Sequence, residues 1–132
     1  MSLHIGILAC DHVDQDFTLE LGDYPDMFKK LVRAQDSGVD ISVYSLINDQ
    51  FPEDLTACDA YIITGSQFGV YEDIPWIHKA KKLVKEIYET RIPTVGICFG
   101  HQLIASALGG EVIKDEQRGR GLGVQTWQIK DQ

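Results

Sequence analysis

Short apolar, β-branched runs alternate with amphipathic helical stretches along the chain, and that alternation leaves few folds open. Residues 4–10 form an apolar run that reads as a buried strand. Residues 24–35 carry Met27, Phe28, Leu31, Val32 and Ala34 near helical spacing, with Gly38 as a stop. Residues 39–46 alternate as a second strand, 51–55 read as a loop or short turn, and 60–64 as a third strand. In residues 76–90, Ile77, Ala80, Leu83, Val84 and Ile87 share one helical face. A strand over 93–97 enters a glycine-bracketed turn, and a helix over 102–108 ends at Gly109-Gly110. Later strands are expected at 111–113 and 123–129. Strands that alternate with helices build a mostly parallel sheet with helices on both faces, so the expected fold is three-layer α/β. With no internal repeat or linker, residues 1–132 read as a single domain.

Composition narrows the function classes. Hydrophobic residues make up 44% and charged residues 24%, the balance of a folded globular chain. No apolar run approaches the roughly 20 residues that cross a bilayer, and the start MSLHIGILAC lacks the basic, apolar pattern of a secretory signal. The expectation is a cytoplasmic protein without a membrane partner. A net charge of −8 and the lack of a Lys/Arg stripe argue against nucleic acid. Three cysteines at wide spacing, Cys10, Cys58 and Cys98, suggest reduced thiols rather than disulfides or a metal site.

The chemistry concentrates at Gly96-Ile97-Cys98-Phe99-Gly100. This G-x-C-x-G between strand and helix is the cysteine form of a nucleophile elbow. The turn is tight, so small residues are needed two positions before and two after the nucleophile. The side chain is then forced out above the sheet edge. It also stands at a helix N-terminus, whose dipole favours thiolate, the reactive form, over thiol. Cys10 and Cys58 lack this context and read as buried core thiols.

The run Gly96 to Ala105, followed by Leu108-Gly109-Gly110, resembles the nucleophile segment of class I, triad-type glutamine amidotransferases. Ile63 to Asp73 resembles that family's oxyanion-loop segment, and Gly119 to Val124 its glycine-containing stretch beyond the nucleophile helix. The resemblance implies a flavodoxin-like sheet. It also implies that Cys98 attacks the glutamine side-chain amide, releases ammonia, and leaves a thioester that water hydrolyses, without a cofactor. Oxyanion donors would be the backbone N–H of Phe99 and one from Gly65-Ser66. Many relatives carry Gly-Gly-Pro where this chain has Gly65-Ser66-Gln67. Ser tolerates positive φ poorly, so which peptide points inward stays open. Gln102 matches the family glutamine that helps hold substrate. Tyr71, Glu72 and Asp73 would rim the pocket or form a solvated loop.

His101 sits three residues after Cys98 but lies within the elbow helix, where a packing or hydrogen-bonding role is favoured over that of general base. His4, His12 and His78 have no constellation around them. The family takes its base and orienting carboxylate from a later His-x-Glu pair, and no His follows His101. The expectation is therefore a chain missing the C-terminal part of the fold and nearly inactive alone. The stretch over 22–28 looks like stand-alone, GMP-synthase-like homologues, for which an ammonia-accepting synthetase is a possible partner. A γ-glutamyl peptidase acting on glutathione-like compounds would use the same thioester. A catalytically silent regulatory or interaction module on the same fold would need no reactive thiol.

Overall fold

The structure is a computed structural model that describes residues 3–11 and 24–112. The strand expected at 123–129, the Gly119 to Val124 stretch and His12 lie outside the described residues.

Four parallel strands form one sheet: β1 (His4–Ala9), β2 (Asp40–Ser45), β3 (Ala60–Ile63) and β4 (Thr94–Gly96), in the order β2-β1-β3-β4. The helices are α1 (Tyr24–Gln35), α2 (Pro75–Thr90) and α3 (Phe99–Ala107). The crossover from β1 runs to one edge through α1, and that from β3 runs to the other through α2. Right-handed crossovers in opposite directions cover opposite faces, which gives the flavodoxin-like, three-layer arrangement expected.

Register sorts the side chains. Gly6 pairs with Tyr61 and Leu8 with Ile63, while Val43, Ile7, Ile62 and Val95 stand in one row on the opposite face. Leu8, Tyr61 and Ile63 meet Ile77, Ala80, Leu83, Val84 and Ile87 of α2 and Phe99 and Leu103 of α3 in a single core. On the other face Ile7 is fully buried, whereas Val95 at the β4 edge is 60% exposed. Gly6 is required by a close approach: a Cβ there would come within 2.5 Å of the Tyr61 ring.

Several boundaries differ from the sequence reading, most by a single residue. The second strand stops at Ser45, and Leu46–Asn48 turns as a 3-10 helix closed by Asp49 at φ 62°. The third helix starts at Phe99 rather than at residue 102. Glu111 and Val112 are not in a strand, and the rest of that run lies outside the described residues. Helix α2 opens on Pro75, whose fixed φ suits a first helical turn, and ends on Arg91 in the left-handed region. Among the described residues no helix is long and apolar enough to cross a membrane.

Burial has an electrostatic consequence in this core. Cys10 is fully buried, and desolvation, with the Asp11 charge beside it, pushes its thiol up from 9.0 to about 12. Burial pushes the Tyr44 and Tyr61 hydroxyls up as well, with Cys58 beside both. In each case the unfolded chain loses its proton at lower pH than the folded one. Stability is therefore whole below the ordinary thiol range and falls as pH rises through it. The expected outcome is a urea midpoint that drops between pH 8 and pH 11. A Cys10→Ala variant should remove up to about 1.4 kcal/mol per pH unit from that slope.

Candidate active site

The elbow is built from backbone contacts that tolerate no side chain. Strand β4 ends at Gly96, Ile97 N–H donates to Ile63 O at 3.0 Å, and α3 begins one residue after Cys98. A Cβ on Gly100 would strike the carbonyl of Ile63, and one on Gly96 would lie 2.6 Å from Gly100 C and O. Both glycines let α3 sit against the ends of β3 and β4. Between them Cys98 takes φ 53° and ψ −110°, a conformation that costs a non-glycine residue about 1–3 kcal/mol. The strain sets Cys98 exposed at the carboxyl edge of the sheet while Phe99 is buried. Phe99 occupies the first position of α3, where a backbone N–H has no intrahelical acceptor.

The loop after β3 lies beside this thiol. A Cβ on Gly65 would be 3.6 Å from Cys98 Cβ. Within the loop, Gln67 N–H donates to Asp11 Oδ2 at 2.7 Å, Phe68 N–H to Ser66 Oγ at 3.2 Å, and Gly69 N–H to Glu72 Oε2 at 2.6 Å. Three successive peptide donors are thus held by named acceptors. Ser66 does not adopt positive φ, so the Gly-Gly-Pro to Gly-Ser-Gln difference is accommodated without backbone strain at that residue.

Aromatic packing joins loop and elbow. Trp76, at the start of α2, meets Phe68 edge-on at 6.1 Å and Phe99 at 5.7 Å with a 41° tilt. Sequence reasoning placed Trp76 only at a helix start. It gave no role to Asp11 or Thr64, both of which hydrogen-bond to the loop. An acid directly after a strand and a Thr directly before the Gly65 loop were the available signals.

The other expected residues fall as follows. Gln102 is exposed on the first turn of α3, with its N–H on Cys98 O at 3.1 Å. His101 is also exposed. Tyr71 is 51% exposed, Glu72 closes the loop, and Asp73 pairs with His78 at 2.6 Å on the surface. His4 lies 2.7 Å from Ser42 Oγ, far from Cys98 along the strands.

A Gly100→Ala substitution should cost at least about 1–3 kcal/mol, because the obstacle is backbone rather than a movable side chain. Urea denaturation of the two proteins measures it.

Known proteins are similar to this chain in sequence and in fold. The family model described as glutamine amidotransferase class-I matches residues 21–132. A glutamine amidotransferase-like protein of Schizosaccharomyces pombe is 36% identical over 128 residues, covering 87% of this chain and 51% of that protein. Gamma-glutamyl peptidase 4 of Arabidopsis thaliana is 35% identical over 70% of this chain and 37% of its own. The glutamine-hydrolyzing GMP synthase of Clostridium acetobutylicum is 38% identical over 76% of this chain and 18% of its own. The crystal structure of a glutamine amidotransferase from Thermotoga maritima superposes with a TM-score of 0.61 at 27% identity, covering 80% of this chain and 44% of that one. The chain thus spans about half, or less, of the length of these relatives. A strand–elbow–helix at Cys98, a parallel sheet in the order β2-β1-β3-β4 and a family match over most of its length make this chain a member of the class I glutamine amidotransferase family.

Proposed function

We propose that Cys98 is the nucleophile of a glutamine side-chain hydrolase. The observation that carries this reading is the strained, exposed Cys98 at φ 53°, one residue before the start of α3 and beside Gly65. The Cys98 thiolate adds to the carbonyl carbon of the glutamine amide. The oxyanion takes hydrogen bonds from the N–H of Phe99 and from the Gly65-Ser66 peptide. Collapse breaks the C–N bond, and a proton delivered to the nitrogen lets ammonia leave. Water then cleaves the glutamyl thioester to glutamate and returns the thiol. Gln102, exposed on the turn that follows Cys98, holds the substrate. The general base is a residue other than His101, which lies on the nucleophile's own helix.

The 35% identity to a gamma-glutamyl peptidase favours a second substrate class, γ-glutamyl amides of the glutathione type. It would use the same thioester with an amine as leaving group. The glutamine reading stands first because the likeness to a glutamine amidotransferase-like protein extends over more of the chain. In that reading the released ammonia passes to an acceptor such as a synthetase. Three unpaired thiols suit a reducing, cytoplasmic setting.

The test is the full-length protein treated with a glutamine-mimicking diazoketone, followed by intact mass and peptide mapping. One adduct at Cys98, competed by glutamine, is the expected result. Competition by glutathione but not glutamine would favour the peptidase. No adduct in a folded protein would leave a silent module. Cys98→Ser should lower kcat by at least about 1,000-fold, as loss of a nucleophile does in triad hydrolases.

A further inference from the structure

The loop beside Cys98 is held at two consecutive peptides, by Thr64 after β3 and by Asp11 after β1. The strand order reverses between β1 and β3, so their carboxyl ends face one crevice side by side. Thr64 is fully buried there. Its Oγ1 accepts the N–H of Cys10 at 2.9 Å and donates to Gly65 O at 3.2 Å. A hydroxyl has one proton and two lone pairs, so both bonds can be made at once. The Gly65-Ser66 peptide is planar and trans. Turning its carbonyl toward Thr64 therefore turns the Ser66 N–H away from Thr64. The next peptide is fixed in its turn, because Asp11 Oδ2 accepts the Gln67 N–H at 2.7 Å in a charge-assisted bond. Phe68 and Gly69 direct their N–H groups to Ser66 Oγ and Glu72 Oε2. Of residues 66–69, Ser66 alone is left with its N–H not directed to a partner among the described residues, and the loop adjoins Cys98 through Gly65.

We infer that Asp11 and Thr64 are positioning residues. Together they lock the Gly65-Ser66 peptide so that the Ser66 N–H faces the oxyanion formed at Cys98, opposite the N–H of Phe99. Neither side chain touches the substrate. The inference deepens the hydrolase reading above and rests on it. It fixes which peptide supplies the second donor, and it assigns two residues to keeping that donor ready before the reaction.

The experiment uses the full-length protein with Asp11→Ala, Asp11→Asn, Thr64→Val and Thr64→Ser. Displacing a fixed donor by about 1 Å costs on the order of 100-fold in rate. Asp11→Ala and Thr64→Val should lower kcat by about 10- to 100-fold, with KM and the rate of Cys98 alkylation by iodoacetamide within about 2-fold of wild type. Asp11→Asn retains an acceptor oxygen and Thr64→Ser a hydroxyl, so both should recover most of the loss. Amide exchange at Gln67, followed by NMR, should accelerate at least about 10-fold in Asp11→Ala, as expected when a hydrogen bond is lost. Unchanged Gln67 exchange, or unchanged kcat in both deletion variants, would overturn the inference. So would losses of kcat, alkylation rate and thermal stability that move together in all four variants, since that pattern marks a structural role alone. Should the wild type neither hydrolyse glutamine nor take the diazoketone, the hydrolase reading fails and the catalytic purpose of the clamp with it. Gln67 exchange would still report whether the tether to Asp11 exists.

Discussion

Two backbones meet without a side chain between them where α3 crosses the end of β3, and the candidate site depends on that approach. Gly100 sits against the Ile63 carbonyl, and Gly96 against Gly100 itself. The same Ile63 carbonyl accepts the Ile97 N–H, so one oxygen takes the last step of the β4 ladder and lies against the first turn of the helix. With strand and helix fixed this closely, only Ile97 and Cys98 remain to make the turn, and Cys98 takes the left-handed conformation. Its positive φ follows from the geometry on either side rather than from any preference of cysteine. The strain is held by the core beneath, where Phe99 and Leu103 are buried among side chains of α2.

That core also sets the spacing between the two halves of the site. Phe68 belongs to the loop after β3, Phe99 to the elbow, and Trp76 lies between them at the start of α2. Aromatic pairs of this kind contribute about 0.5–1.5 kcal/mol each beyond the area they bury. Their geometric effect matters more here. A rigid indole with two ring contacts limits how far the loop can drift from the elbow, while the hydrogen bonds to Asp11 and Glu72 limit how it can rotate.

Much of this was legible in the sequence. Periodicity located β1, α1, β3 and α2 to within a residue or two, because each has a run long enough to show its period. The glycine pair around Cys98 gave the elbow, since few other structures need small residues at that spacing. The start of α3 was misplaced by three residues for a physical reason: glycine at position 100 costs about 1 kcal/mol in a helix interior and argues against a helix. Only the Ile63 carbonyl, distant in sequence, explains why it is there. The 3-10 turn at Leu46–Asn48 was hidden likewise, because Leu46 continues the apolar pattern of β2. Asp11, Thr64 and Trp76 act through partners more than seven residues away or through a neighbouring peptide, and a linear reading has no access to either.

A site of this type needs strain and order together, and the fold supplies them from different places. The strain is local, carried by Cys98 alone among the residues that line the elbow. The order comes from a loop whose peptides are each given a partner: Gly65 O by Thr64, Gln67 N–H by Asp11, Phe68 N–H by Ser66 and Gly69 N–H by Glu72. A loop with the N–H groups of Gln67, Phe68 and Gly69 all satisfied has little to gain by rearranging. A donor that is already aimed costs no reorganisation as charge develops, which is the condition under which a backbone N–H stabilises an oxyanion best. The replacement of a Gly-Gly-Pro loop by Gly65-Ser66-Gln67 fits the same logic. Ser66 Oγ accepts the Phe68 N–H, so the side chain that takes the place of a glycine adds a constraint of its own to the backbone it occupies.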